Sequence, residues 1–173
     1  MSTPCPDIVF IPTHHHVVYL VLMQDDVSVQ LEALDILGDL LSRFGGLLVQ
    51  FHPNLVEALS PQLRSPRLAV RKRAIICLGH LVLSCDQALY IKLINMLLEE
   101  LSQSGATSTT RTFIQALGAV CRQAGHRFGD HVERVMPLVM KYARQEDDEL
   151  KEHVLQVCLN YHCSSCHNGY AGL

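Results

Sequence analysis

Tryptophan is absent from this chain, and aromatic residues together make up only 6% of it. Sheet proteins lean on aromatic and β-branched side chains, so the shortage argues for helices built on Leu, Val, Ile and Ala. No excess of one charge is present either: 14 basic and 17 acidic residues leave a net charge of -3, with a pI near 6.3. That balance gives no strong pull toward nucleic acid or an anionic membrane. The apolar run Val17–Met23 is far below the roughly 18 residues a helix needs to span a bilayer. Pro4, Pro6, Pro12 and His14–His16 precede it, without a basic region or a small-residue cleavage site, so a secretory signal is not expected. Sequons for N-glycosylation, glycine-rich phosphate loops and nucleophile elbows are all missing. An enzyme is not expected.

What is present begins with the cysteines. Cys77, Cys121 and Cys158 fall inside helical patterns and Cys85 just after one, as small apolar fillers rather than a disulfide framework. A reducing, intracellular setting follows. The 173 residues can bury one core.

Self-similarity is the strongest signal. Val29–Leu40, Val70–Leu81, Thr109–Val120 and Leu150–Tyr161 align at offsets of 41, 39 and 41 residues. The first three share Leu37-Gly38, Leu78-Gly79 and Leu117-Gly118, four residues after Ala33, Ala74 and Phe113. A period of about 40 residues is the length of HEAT and armadillo units, each a pair of helices. Pro53–Leu63, Ala88–Ser102 and Asp130–Ala143 supply the partner helices, two of them with an internal proline, Pro61 and Pro137. Gly45-Gly46, Ser65-Pro66, Ser104-Gly105 and Gly125 mark turns, and Asp147-Asp148-Glu149 places acids where a helix N-terminus favours them. The reading is an all-α, HEAT/armadillo-like α-solenoid of three to four repeats over residues 24–161. A divergent leader, 1–23, precedes it and a divergent, disordered tail, 162–173, is expected to follow it.

Helical arithmetic puts Val70, Ala74, Cys77, Leu78 and Leu81 on the buried stripe of the second unit. Its opposite face presents Lys72, Arg73, Ile76 and His80. The repeat offset carries that face to Glu32, Asp35 and Asp39 in the first unit and to Arg111, Thr112 and Gln115 in the third. In the fourth it reaches Glu152, His153 and Gln156. Second helices of such arrays line the concave surface, so these are the candidate protein-binding residues; a merely solvated face is the alternative.

Other clusters carry less. Cys163-x-x-Cys166-His167 has the spacing of a covalent haem attachment, and with His162 it could ligate zinc. No export signal supports the haem, and the ligands are crowded on one side, so no cofactor or metal is assigned. His14–His16 and Asp147–Glu149 read as exposed and capping residues. The basic cluster Arg64, Arg67, Arg71, Lys72 and Arg73 lacks interleaved aromatics, so neither nucleic acid nor a membrane is expected as partner, nor a small-molecule substrate.

The runs Asp26–Leu37, Ser65–Arg73 and Arg122–Arg127, with Asp147–Leu150, resemble the cullin-associated neddylation-dissociated protein family. The likeness extends from about Gln24 to about Leu159, as in the amino-terminal third of a much longer HEAT solenoid. Residues 1–23 and those from about Tyr161 depart from it. The resemblance implies binding to a cullin and its RING subunit in the state lacking the ubiquitin-like modifier, and a part in exchanging substrate receptors of SCF-type ubiquitin ligases. It also implies residence in cytoplasm and nucleus. A transport adaptor of the importin type, or an inactive partial product, are the alternatives.

Overall fold

The computed structural model describes the backbone of residues 21–103, 107–144 and 148–168, and side chains as far as 160. Eight α-helices are present among the described residues: α1 (Val27–Phe44), α2 (His52–Leu59), α3 (Leu68–Leu81), α4 (Gln87–Gln103), α5 (Thr107–Gln123), α6 (Gly125–Phe128), α7 (Val132–Met140) and α8 (Asp148–Asn168). None of them is long and apolar enough to cross a membrane.

Local chemistry sets the helix ends. Asp26 caps α1, its carboxylate accepting from the amide of Ser28 at 2.8 Å. Asp86 accepts from the amide of Leu89 at 2.7 Å at the start of α4, and Asp148 and Glu149 stand in the first turn of α8. The helix expected over Pro53–Leu63 stops at Leu59, and Pro61–Arg64 continues as a 3-10 turn. Proline lacks the N–H that an unbroken α-helix would need there. Pro137 lies within α7, but that helix is flanked by 3-10 turns at Gly129–His131 and Lys141–Arg144. Gly125 opens α6 rather than marking a turn. Of the tail expected to be disordered, the part from His162 to Asn168 is helical and residues 169–173 lie outside the described residues; no Gly or Pro interrupts the chain between Leu150 and Gly169.

The helices form two layers. In the inner layer α1, α3, α5 and α8 lie side by side, with extensive backbone approach at each step. The outer layer, α2, α4 and α7, meets at far fewer points. Closer spacing on one side curves the stack toward the inner layer, which is how repeat arrays acquire a concave face. The repeated glycines permit this spacing: a Cβ on Gly38 would sit 3.6 Å from Cys77 Sγ, and one on Gly118 would sit 3.4 Å from Val157 Cγ2. A methyl group at Gly38 would make ordinary van der Waals contact with the neighbouring helix.

The core is continuous through all units. Val70, Ala74, Cys77, Leu78 and Leu81, the stripe expected from helical phase, are each 0% exposed. On α1 the equivalent positions Val29, Ile36 and Leu40 are exposed, as is Phe44, while Leu37 is buried. At the entry to the array Leu22 is fully buried, and its carbonyl accepts from Gln62 Nε2 at 3.0 Å and Gln30 Nε2 at 3.2 Å.

Side chains stitch successive units at the repeat spacing. Arg127 is the densest of these links. Its Nη1 donates to the carbonyls of Val82 (3.2 Å) and Cys85 (3.0 Å), Nη2 to that of Asp86 (2.9 Å), and Nε to Gln87 Oε1 (3.1 Å). The guanidinium also lies 4.1 Å from the ring centre of Tyr90. Tyr142 donates to the Leu101 carbonyl at 2.9 Å, Asn160 to that of Gly118 at 3.1 Å, and Arg64 pairs with Glu100.

His52 gives the fold a pH dependence. It is buried, Nε2 donates to the Gly45 carbonyl at 3.0 Å, and Nδ1 has no partner. Burial holds its pKa below the ordinary imidazole value, against opposing pulls from the Gly45 carbonyl and Asp86. The unfolded chain therefore binds this proton at higher pH than the folded one does. Stability is complete above about pH 6.5 and falls as pH drops below it, levelling off once the folded ring is itself protonated. Thermal melts at pH 7.5 and pH 5.5 should show a smaller acid-induced drop in His52→Gln than in the parent. An identical drop would mean His52 does not titrate as its burial requires.

Candidate protein-binding face

The inner layer carries the candidate contacts. Glu32, Asp35 and Asp39 are exposed along α1, Lys72 is exposed on α3, and Glu152 and Gln156 are exposed on α8. Arg73, His80, Arg111, Gln115 and His153 are half-buried. Thr112 departs from expectation. It is 2% exposed, and its hydroxyl donates to the Ser108 carbonyl at 3.0 Å. Its short side chain turns back onto its own helix and offers nothing to a partner.

Two grooves gather most of the rest. Between α1 and α3, Asp35, Asp39, Arg73 and His80 surround a depression of about 260 Å³, floored by Leu34, Gly38 and Ile76. Arg73 Nε donates to Asp35 Oδ1 at 2.7 Å across it. Between α3 and α5, reaching α8, a second groove of about 290 Å³ is lined by Lys72, Gln115, His153 and Gln156. Ile75, Ile114 and Ala119 form its apolar floor, and Arg122 stands on its wall. Gln115 Nε2 lies 2.6 Å from His153 Nε2, bridging α5 and α8. Glu32, Arg111 and Glu152 line neither groove; Arg111 is paired with Glu149 at 2.8 Å.

Ile76 borders both grooves and is 54% exposed, an apolar side chain displayed between acids and bases. Arg122 was not among the residues selected by repeat offset. Its signal is i+7 from Gln115, the same helical face two turns on.

The cysteines among the described residues are held as thiols. Burial pushes the thiols of Cys77 and Cys121 up to about 12, and those of Cys85 and Cys158 above their ordinary value. Thiols so held are not nucleophiles at neutral pH. Among the described residues no group of three or more His, Cys, Asp or Glu is placed to hold a metal ion. The side chains of His162, Cys163, Cys166 and His167, and the His14–His16 segment, lie outside the described residues.

Comparison with known proteins accounts for this architecture. The HEAT-like repeat family matches residues 27–81. Cullin-associated NEDD8-dissociated protein 2 of Rattus norvegicus is 51% identical over 139 residues, 79% of this chain. Protein 1 of the same designation from Drosophila melanogaster is 49% identical over 135 residues, 78% of this chain. The chain belongs to the cullin-associated NEDD8-dissociated family. It spans about 11% of the length of these relatives, so it corresponds to one stretch of a far longer family member. Among solved structures, the karyopherin Kap121p superposes with a TM-score of 0.64 at 18% identity, over 89% of this chain and 15% of that one. At that identity the likeness establishes the shared all-helical solenoid and nothing about partners.

Proposed function

We propose that this chain is a non-catalytic interaction module that docks its inner layer onto a cullin and its RING subunit in the absence of the ubiquitin-like modifier. The observation that carries the reading is the grooved inner face, charged in two blocks around the exposed Ile76, on a chain half identical to proteins named for cullin association. In this reading the family segment contributes holding contacts, and regulation of SCF-type ligase assembly belongs to the larger solenoid of which such a segment is a part. Cytoplasm and nucleus, where such ligases work, are the proposed location. A transport adaptor rests on the karyopherin likeness, which carries only the fold.

Capture of a purified cullin–RING pair on the immobilised chain tests the reading. The unmodified pair should be retained, and attachment of the modifier should reduce retention several-fold. Failure to retain either form, or retention of a karyopherin cargo peptide in their place, would defeat it.

A further inference from the structure

The groove between α3 and α5 holds more information than a general docking face. Five cations lie along these two helices: Arg71, Lys72, Arg73, Arg111 and Arg122. Three are committed internally. Arg73 pairs with Asp35 and Arg111 with Glu149, while Arg71 donates to the carbonyls of Ser65 and Pro66 at 2.7 and 3.1 Å. Lys72 and Arg122 have no partner among the described residues, are both exposed, and stand on opposite walls of one groove. Its floor is aliphatic, with the small residues Gly118 and Ala119 beside Ile75 and Ile114.

Apolar floor and unpaired cations select the same ligand from two directions. A branched aliphatic side chain would remove the floor and the exposed Ile76 from water. A neighbouring carboxylate would complement the two cations. Nucleic acid fits less well. Two cations neutralise too few phosphates for useful affinity, and Asp35 and Asp39 border the adjoining groove, where they repel a polyanion. We propose that the α3–α5 groove recognises a protein segment that presents an aliphatic side chain next to an acidic one. Identifying the protein that bears the segment as a cullin–RING assembly rests on the function proposed above; the chemistry of the groove does not.

Two measurements on the full chain keep the two claims apart. Fluorescence anisotropy with short labelled peptides rich in Glu and Leu should show saturable binding, and peptides with Lys in place of Glu should show none. Lys72→Glu combined with Arg122→Glu should weaken peptide binding at least about tenfold, as should Ile76→Ser. Lys92→Glu, an exposed charge on outer helix α4, should leave it unchanged. Both groove charges are exposed, and matching circular dichroism melts would show that the variants are folded. Absence of peptide binding, indifference to the charge reversals, or tighter binding of single-stranded RNA lost in the same variants would each overturn the groove assignment. The unmodified cullin–RING pair is then titrated against the same variants. Peptide binding without cullin binding leaves the groove standing and removes the proposed function. Cullin binding unaffected by the charge reversals leaves both standing but removes the cullin–RING pair as the bearer of the groove's segment.

Discussion

Replacing Ala74 with aspartate is expected to unfold the second unit and to lower overall stability by several kcal/mol. Ala74 is 0% exposed on the face of α3 that enters the core, between Val70 and Leu78, which are equally buried. A carboxylate there would have neither water nor a cation, and an uncompensated buried charge costs roughly 3–5 kcal/mol. Since domains of this size hold about 5–15 kcal/mol in total, the loss is a large fraction of it. The control is two residues away: Ile76→Asp places the same charge on the 54% exposed side of the same helix and should change stability by no more than about 0.5 kcal/mol. Urea unfolding followed by circular dichroism measures both. If Ala74→Asp unfolds at the midpoint of the parent, the phase assigned to α3 is wrong.

Arg127→Met is the second substitution with a large expected effect. Methionine keeps an unbranched apolar stem over Tyr90 but removes the donors that serve the carbonyls of Val82, Cys85 and Asp86. Val82 and Cys85 are 0% and 6% exposed, so their carbonyls have little access to replacement water. Charge-assisted hydrogen bonds and the cation–π contact together suggest a loss of roughly 2–4 kcal/mol. Arg127→Lys should recover only part of it, because an ammonium cannot reproduce the planar fork. These bonds cross from the α6 segment to the turn after α3, so their loss should also broaden the unfolding transition as neighbouring units uncouple. An unchanged midpoint and slope would show that the units are held together by apolar packing alone.

The inner layer was largely legible in the sequence, because each of its helices repeats the same apolar spacing and the Leu-Gly pair fixes register between units. Val70, Ala74, Cys77, Leu78 and Leu81 could be assigned to the core from spacing alone for that reason. The outer layer was less legible. Pro61 ends an α-helix in favour of a 3-10 turn, and the stretch expected as one helix over Asp130–Ala143 is divided at Gly129–His131 and Lys141–Arg144. Apolar periodicity survives such breaks, so it does not reveal them. In α8 the simplest signal is the lack of any helix breaker before Gly169, which lets the helix run through Asn168. The binding face was legible only as a list of positions. Repeat offset brought Lys72, Gln115, His153 and Gln156 together, but it also selected Thr112, because offset arithmetic does not see a short side chain turning back to its own helix. Which cations remain unpaired depends on partners 38 residues away, as for Arg73 with Asp35, and no local pattern contains that.

In the proposed docking, the inner layer is the face that meets a cullin–RING partner. Lysines report on both faces: Lys72 stands on inner helix α3, and Lys92 on outer helix α4. Brief acetylation of the chain, free and saturated with the unmodified cullin–RING pair, followed by mass spectrometry, reads the two sites separately. Lys72 should lose most of its reactivity in the complex while Lys92 keeps its own. Protection of Lys92 with Lys72 still reactive would place the partner on the outer layer and contradict it.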